Sequence, residues 1–381
     1  LGLDIAELKE TPLKLMETQY NKIIKKMDLI DPVKYSRDRN FIDGSISKLS
    51  PYISRGVIST KIVFNYLINK GFEFTKIEKF IQELCWRDYW QLIWCEKKHL
   101  INNDLKNKQV DVENQYLSIG ILNASTQINA IDNAIEDLYK YGYMHNHLRM
   151  YIASLACNVA KSHWNTPAKW MYYHLLDADW GSNALSWQWV CGANSNKKYY
   201  ANQDNINKYC YTNQKNTYLD VDYSFFQNLS VPKPLLETSN PELKTDLPIN
   251  KKLHINIKLP ALIYNFYNLD PQWRKDENLN RILLLEPDLF KNYPISKKSV
   301  DFMLKLSNNI DGIQVFVGSF HDLKNEYNLN SIIYKEHPLN SHYIGIKDER
   351  DWMFDHKENL NSFFSYWKKC RKEYFKMKIH N

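Results

Sequence analysis

From Thr11 to about Tyr209 the apolar positions recur mainly at helical spacing, and runs such as Lys76–Lys98 and Ile128–Tyr141 hold neither glycine nor proline. Between Tyr211 and Lys252 the texture changes to Asn, Thr and Ser punctuated by Pro232, Pro234, Pro241 and Pro248. Such a stretch reads as a linker or wrapping arm. Beyond it, Arg281–Glu286, Ile313–Gly318 and Ser331–Lys335 are short apolar, β-branched runs, and the helical stretch Lys297–Asn308 separates the first two. Strands alternating with helices predict a small parallel unit of βαβ type. Asn359–Met377 has the spacing of a terminal amphipathic helix. The pattern therefore divides the chain into a helical domain over 1–210, an arm over 211–252 and a small α/β domain over 253–381. The fold class expected is mainly α. No repeat at solenoid spacing and no low-complexity tract interrupts this division. The chain begins at Leu1 rather than a methionine, which leaves room for an absent amino-terminal piece.

Composition narrows the picture in three ways. With 44% hydrophobic and 24% charged residues among 381, the chain can build a real core. It has no run near the roughly 18 apolar residues of a membrane span and opens without a signal segment, so a soluble, cytoplasmic, monomeric protein with no membrane partner is expected. Six cysteines lack any CxxC pair, which gives neither zinc nor an iron–sulfur cluster its ligand spacing; no metal is expected, and the thiols read as reduced packing groups. The formal charge of +7 permits a polyanionic partner without demanding one. Eleven Trp and 26 Tyr against only 11 Gly suggest a ring-binding or electron-carrying interior, although rings are also ordinary core.

Four segments of the helical part hold the candidate chemistry. In Gly44–Tyr52, Ser45, Ser47 and Ser50 surround Lys48 just before a helix that Pro51 would start, a donor-rich positive end suited to a pyrophosphate; a plain capping serine reads the same. In Phe80–Trp90, helical spacing puts Glu83 on one face with Trp86 and Arg87, and Trp90 continues the stripe to Trp94. A carboxylate beside an indole suits an unstacked base, and a surface ion pair over a tryptophan core would look alike. In Tyr143–Met150, Asn146, Arg149 and Met150 share a face, while His145 and His147 fit core or surface as well as catalysis. In Leu176–Trp189, a helix beginning after Asp179 aligns Asp179, Asn183 and Trp187, and no ordinary core wants the polar members of that stripe.

Taken in order, SxLSPY, ELxWRxxW, MHNxxRM and DxDxxxNxxxWQW resemble the flavin-binding helical domain of the photolyase/cryptochrome family over Tyr35–Trp189, about two fifths of the chain. The resemblance implies an all-helical domain holding one non-covalent FAD in a U-shaped conformation, beneath an opening for a flipped-out pyrimidine dimer. Position by position it implies that Tyr35, Ser47, Lys48, Leu49 and Ser50 contact the pyrophosphate and adenosine, with Lys48 where Arg is usual. Glu83, Trp86 and Arg87 match the substrate carboxylate, the stacking tryptophan and its basic neighbour. Asn146 matches an amide at the dimer and flavin edge, Arg149 an arginine near the flavin, and Met150 the methionine beside the dimer. Asp177 and Asp179 match acidic residues around the flavin ring and ribose, Asn183 the residue facing flavin N5, and Trp187 and Trp164 the proximal and middle members of an electron relay.

The function this resemblance implies is light-driven splitting of cyclobutane dimers in damaged DNA, a carbon–carbon lyase reaction, with a non-repairing blue-light flavin photoreceptor as the alternative. Within the family Asp at the N5 position is typical of plant cryptochromes and Cys of animal ones, so Asn183 favours repair. Histidines mark the (6-4) enzymes where this chain has Asn146 and Met150. There are departures too. No tryptophan lies between Trp94 and Tyr143, where the distal relay member is usual, so the relay is shortened or passes through Trp170, Trp180 or a tyrosine. His147 replaces a common Arg, and Tyr199–Gln203 departs from the usual end of the domain. The family's α/β antenna domain normally comes first, whereas here the α/β segment comes after the helical one. Ile313–Tyr334 faintly resembles that domain's second half, and no antenna chromophore is assigned.

Overall fold

In a computed structural model the chain is described over residues 16–358 and 360–379. The expected helical texture before Met16, the start at Leu1 and Asn359 at the head of the expected last helix lie outside the described residues. Among the described residues eleven α-helices make up the first part: α1 (Tyr20–Lys26), α2 (Pro32–Asp38), α3 (Ser50–Ser54), α4 (Thr60–Asn69), α5 (Phe74–Lys97), α6 (Ile119–Leu122), α7 (Asn129–Tyr141), α8 (Asn146–Ser154), α9 (Asn165–His174), α10 (Trp180–Cys191) and α11 (Gln203–Cys210). Their ends are set by local chemistry. Asp31 accepts from Lys34 N at 2.9 Å and Pro32 opens α2, Ser59 caps α4 through Ile62 N, and Asp179 caps α10 through Ser182 N at 3.0 Å. Gly142 and Gly192, at φ 65° and 87°, supply the left-handed residues that end α7 and α10. With no glycine or proline in 24 residues, α5 runs through the centre and packs against α2, α4, α10 and α15 (Phe363–Ile379).

The expectation of an all-helical region followed by a small βαβ unit holds only in part. A short antiparallel pair joins β1 (Leu117–Ser118) in the helical part to β2 (Thr238–Ser239) in the proline-rich arm. The later part is a five-stranded, wholly parallel sheet of β3 (Ala261–Tyr264), β4 (Asn280–Leu285), β5 (Gln314–Val317), β6 (Ile332–Lys335) and β7 (Ile346–Asp348), in spatial order β5-β4-β3-β6-β7. Three of these strands are the ones the sequence predicts; β3 and β7 are additional. Helices α12 (Pro287–Asn292), α13 (Lys297–Ser307) and α14 (Phe320–Glu326) connect them.

Alternation along β3 explains how the two parts join. Leu262 and Tyr264 belong to the same continuous core as the helices, while Ala261 and Ile263 pack on the opposite face with Phe316, Phe320 and Leu323. The chain turns from one side of the sheet to the other between β3 and β6, and the crevice at their carboxyl ends is where such sheets gather loops. Here a ring from the helical part enters the crevice. Tyr267 after β3 stacks on His337 after β6 (4.3 Å, 12°), and Trp94 of α5 meets both rings edge-on. Among the described residues no helix is long and apolar enough to cross a membrane.

Candidate functional site

The centre of the site is the turn Asp177–Ala178–Asp179 leading into α10. Both carboxylates are almost fully buried, at 4% and 6% exposure, so each needs a charge-assisted partner. Arg149 Nη1 of α8 donates to Asp177 Oδ2 at 2.8 Å, and Arg87 Nη2 of α5 lies 2.8 Å from Asp179 Oδ2. Gln91, one turn beyond Arg87, donates to Asp179 Oδ1 at 2.6 Å. Burial alone would push the Asp177 carboxyl up, but Arg149 and Arg87 hold it below the usual range, so it stays ionised. Two arginines from two helices thus fix two carboxylates two residues apart.

The turn is strained and clamped. Ala178 has φ 24°, a conformation unfavourable for a residue with a Cβ. Arg55, fully buried, donates from Nη2 to the carbonyls of Asp177 and Ala178 at 2.9 Å each, while its guanidinium lies 3.3 Å from the centre of the Phe266 ring. Tyr267 donates its hydroxyl to Ala178 O at 3.2 Å. The loop after β3 therefore braces the acidic turn from behind.

The remaining predicted residues surround this turn. Asn146 opens α8, and its neighbour Arg149 also donates from Nε to Met144 O at 2.9 Å; Met150 is half-buried on the same helix. Asn183 donates from Nδ2 to Ala168 O at 2.8 Å, which fixes one end of its amide and leaves the oxygen as acceptor. Lys48 sits at φ 53° in the loop before α3, with Nζ 5.9 Å from the Tyr143 ring centre. Ser47 Oγ accepts from Leu49 N at 3.4 Å, Leu49 is buried, and Ser50 O accepts from Arg87 Nη2 at 3.3 Å. Tyr35 packs edge-on against Phe80, and burial raises its hydroxyl pKa. Glu83 is partly exposed, with Lys79 Nζ at 2.8 Å and Arg39 Nε at 3.7 Å from Oε1. Trp86, half-buried, carries the Phe363 ring flat against it at 3.5 Å and 9°.

The tryptophans divide. Trp164 and Trp180 are buried with centroids 6.4 Å apart, and Trp180 continues to Tyr293 at 5.8 Å and Tyr172 at 5.5 Å. Trp187 is buried on α10, and among the described residues no ring-to-ring contact joins it to Trp164. Trp164 Nε1 donates to Asp104 Oδ1 at 2.7 Å.

The donor and acceptor set at the turn and along α8 fits the ring and ribose edges of a cofactor such as FAD. Among the described residues Asp177 Oδ1 and Ser182 Oγ at the turn, and the Nε2 atoms of His145 and His147 at the start of α8, are buried without a hydrogen-bond partner, so polar capacity remains unspent there. Sequence reasoning missed Arg55, whose partners lie 122 and 123 residues away, and Gln91. Gln91 had a signal, since it stands one helical turn after Arg87 on the same face. A cavity of about 80 Å³ beside Asp179 runs to Asn268, Lys335 and Arg350 at the sheet crevice. Arg350 enters it from the carboxy-terminal side and donates to Gln91 Oε1 at 2.9 Å.

The chain is similar to known proteins over its helical part. Residues 80–228 match the family described as the FAD binding domain of DNA photolyase. The chain is 27% identical over 175 residues to a protein named deoxyribodipyrimidine photo-lyase from Alkalihalophilus pseudofirmus, covering 44% of this chain and 35% of that one. A protein of the same name from Agrobacterium fabrum is 27% identical over 166 residues, covering 42% and 34%. The chain thus spans about a third of the length of these curated relatives. A solved structure, the Synechocystis sp. PCC6803 cryptochrome, superposes on 51% of this chain and 44% of its own with a TM-score of 0.46 and 23% identity.

Proposed function

Because the helical part of this chain belongs to the photolyase/cryptochrome family, we propose that α5, α8 and α10 hold one FAD non-covalently and use it under blue light to split cyclobutane pyrimidine dimers in DNA. The observation that carries the reading is the division of labour along α5. Arg87 and Gln91 reach inward to Asp179, while Glu83, one turn before Arg87, and the adjacent Trp86 stay partly exposed. One helix thereby joins a buried polar cradle to an open aromatic and acidic edge.

FAD held by these residues in its reduced form would supply a photoexcited one-electron donor, so the protein need stabilise no leaving group. The residues of the chain bind and orient. Lys48, Ser47 and Ser50 offer donors and positive charge to a pyrophosphate before α3. Asp177, kept ionised by Arg149 and Arg87, and Asp179, held in place by Arg87 and Gln91, accept from ring and ribose donors. Asn183 presents a neutral amide oxygen that stabilises a reduced ring without readily donating a proton. Trp86 stacks on an extruded base, worth about 1–3 kcal/mol, and Glu83 accepts from its edge. Asn146 and Met150 complete the opposite wall.

A second reading, a blue-light flavin photoreceptor without repair, is favoured by one observation: Phe363 covers a face of Trp86. One experiment separates the two. Dimer-containing DNA is illuminated with reduced protein and compared with a dark control, using the wild type and Trp187→Phe. Repair reads as dimer loss only in light, and it persists in pre-reduced Trp187→Phe while light-driven reduction of the oxidised variant is lost. Equal dimer levels in light and dark, with flavin confirmed reduced, contradict repair and leave the photoreceptor.

A further inference from the structure

The last helix, α15, has two unlike sides. Phe363, Tyr366, Trp367, Cys370 and Tyr374 are buried against α5 and its neighbours, at the 3- and 4-residue spacing of one helix face. Tyr374 stacks on Phe74 at 4.1 Å and Phe363 on Trp86 at 3.5 Å. This side is a permanent seam. The other side presents Phe364, Lys368, Arg371, Lys372 and Phe375, which fall at i, i+4, i+7, i+8 and i+11 and so form one stripe. Phe364 is 68% exposed and Phe375 37%.

That stripe is unusual for a solvated helix face. Large rings exposed at both ends of a basic run cost apolar surface left in water, which an ordinary lysine-rich face avoids. The acid within these helical residues, Glu373, is turned away and engaged by His356 Nε2 at 2.9 Å. Arg371 is held by Glu78 of α5 at 2.8 Å, whereas Lys368 and Lys372 have no ion-pair partner among the described residues. The stripe also runs into the candidate site, because Phe364 meets Trp86 edge-on at 6.4 Å.

We propose that the exposed face of α15 is a nucleic-acid-binding surface that takes the unpaired strand flanking the base held at Trp86. This rests on the reading of Trp86 as a base platform and extends it to a second element. Bases that have left the stack lie against Phe364 and Phe375, and the lysines between them meet the phosphates. Alternating rings and cations suit single strands, whose bases expose their faces, better than duplex, whose bases are stacked on one another. From Phe364 to Phe375 the helix rises about 16 Å, room for several nucleotides. Phe363 beneath the stripe holds Trp86 in plane, so the helix both fixes the platform and lengthens it.

The test uses the full chain, an undamaged single-stranded oligothymidylate and the same strand carrying one dimer. Lys368→Ala/Lys372→Ala is expected to lower the slope of log affinity against log salt by about 1.4 on either strand, from about 0.7 per lost contact. Phe364→Ala is expected to weaken binding of the undamaged strand about tenfold, within the range for loss of one stacked base. Flavin content and thermal unfolding should stay at wild-type values in both. Unchanged affinity and slope in these variants overturn the proposal, and if Trp86→Ala still loses the dimer preference, the platform reading survives alone. Loss of dimer preference in none of the variants removes the platform reading as well. Binding to vesicles of anionic phospholipid in preference to the oligonucleotide, abolished by the lysine variant, would make the stripe a membrane-surface helix and overturn the proposal too.

Discussion

The two long sides of α5 meet their surroundings by different physics. On one side Arg87 and Gln91 converge on Asp179, and Arg149 of α8 reaches the neighbouring Asp177, each partner set by direction, charge and a distance below 3 Å. On the other, Phe74, Cys85, Trp86 and Tyr89 lie against α15 through rings and thiols whose contacts overlap. A polar cradle has little redundancy, because removing a charged partner leaves a buried carboxylate under-compensated. An aromatic seam shares its load among many dispersion contacts.

That difference predicts an order of effects. Arg149→Met leaves the Asp177 carboxylate buried beside a thioether, and should cost about 3–5 kcal/mol in denaturant unfolding together with loss of bound flavin. Retention of flavin at full stability would show that the cradle tolerates an unpaired charge. On the seam, Phe363→Leu keeps an apolar side chain of similar volume and loses mainly the stacking on Trp86. A destabilisation of about 1 kcal/mol with flavin content unchanged is expected. A loss as large as that of the arginine variant would mean the seam is as specific as the cradle.

A further effect concerns pH. His145 and His147, at the start of α8 beside the cradle, are held neutral by burial, which pushes both down to about 4. The unfolded chain takes up these protons near pH 6.5, so the stability present above that value is lost as the pH falls from about 6.5 towards 4. The unfolding midpoint should decline over this window, and His145→Asn/His147→Asn should flatten the decline. A midpoint that rises on acidification would contradict the sign. Asp88, pushed up to about 6 by burial, partly offsets the histidines, because its contribution runs the opposite way.

How much of this was legible in the sequence depends on where each partner lies. Spacing within one helix aligned Asp179, Asn183 and Trp187 and put Glu83 near Trp86, because helical periodicity is local, whereas Arg87, expected with them, turns to Asp179. The strands β4, β5 and β6 were visible as apolar runs. By contrast β3 is only Ala-Leu-Ile-Tyr after Pro260 and merges with the end of the arm, although the sheet is built around it. At the sheet edge, β7 carries two exposed residues of three and shows no apolar signature. Arg55 and Arg350 were hidden for another reason. Their partners are 122 and 259 residues away, and a single arginine at a helix end or in a loop leaves no periodic trace. Phe363 read as one apolar position in an amphipathic helix, and only the packing of α15 on α5 reveals that its target is Trp86.

The claim that α5 separates cofactor from substrate is tested most directly by measuring flavin content and light-driven dimer repair together in Glu83→Ala and Trp86→Ala. The account predicts that both variants keep FAD at the wild-type ratio while repair falls at least tenfold, since a stacked base contributes about 1–3 kcal/mol and the carboxylate adds to it. Loss of FAD in proportion to loss of repair would contradict it, placing Glu83 and Trp86 inside the cofactor cradle rather than at the open edge beside it.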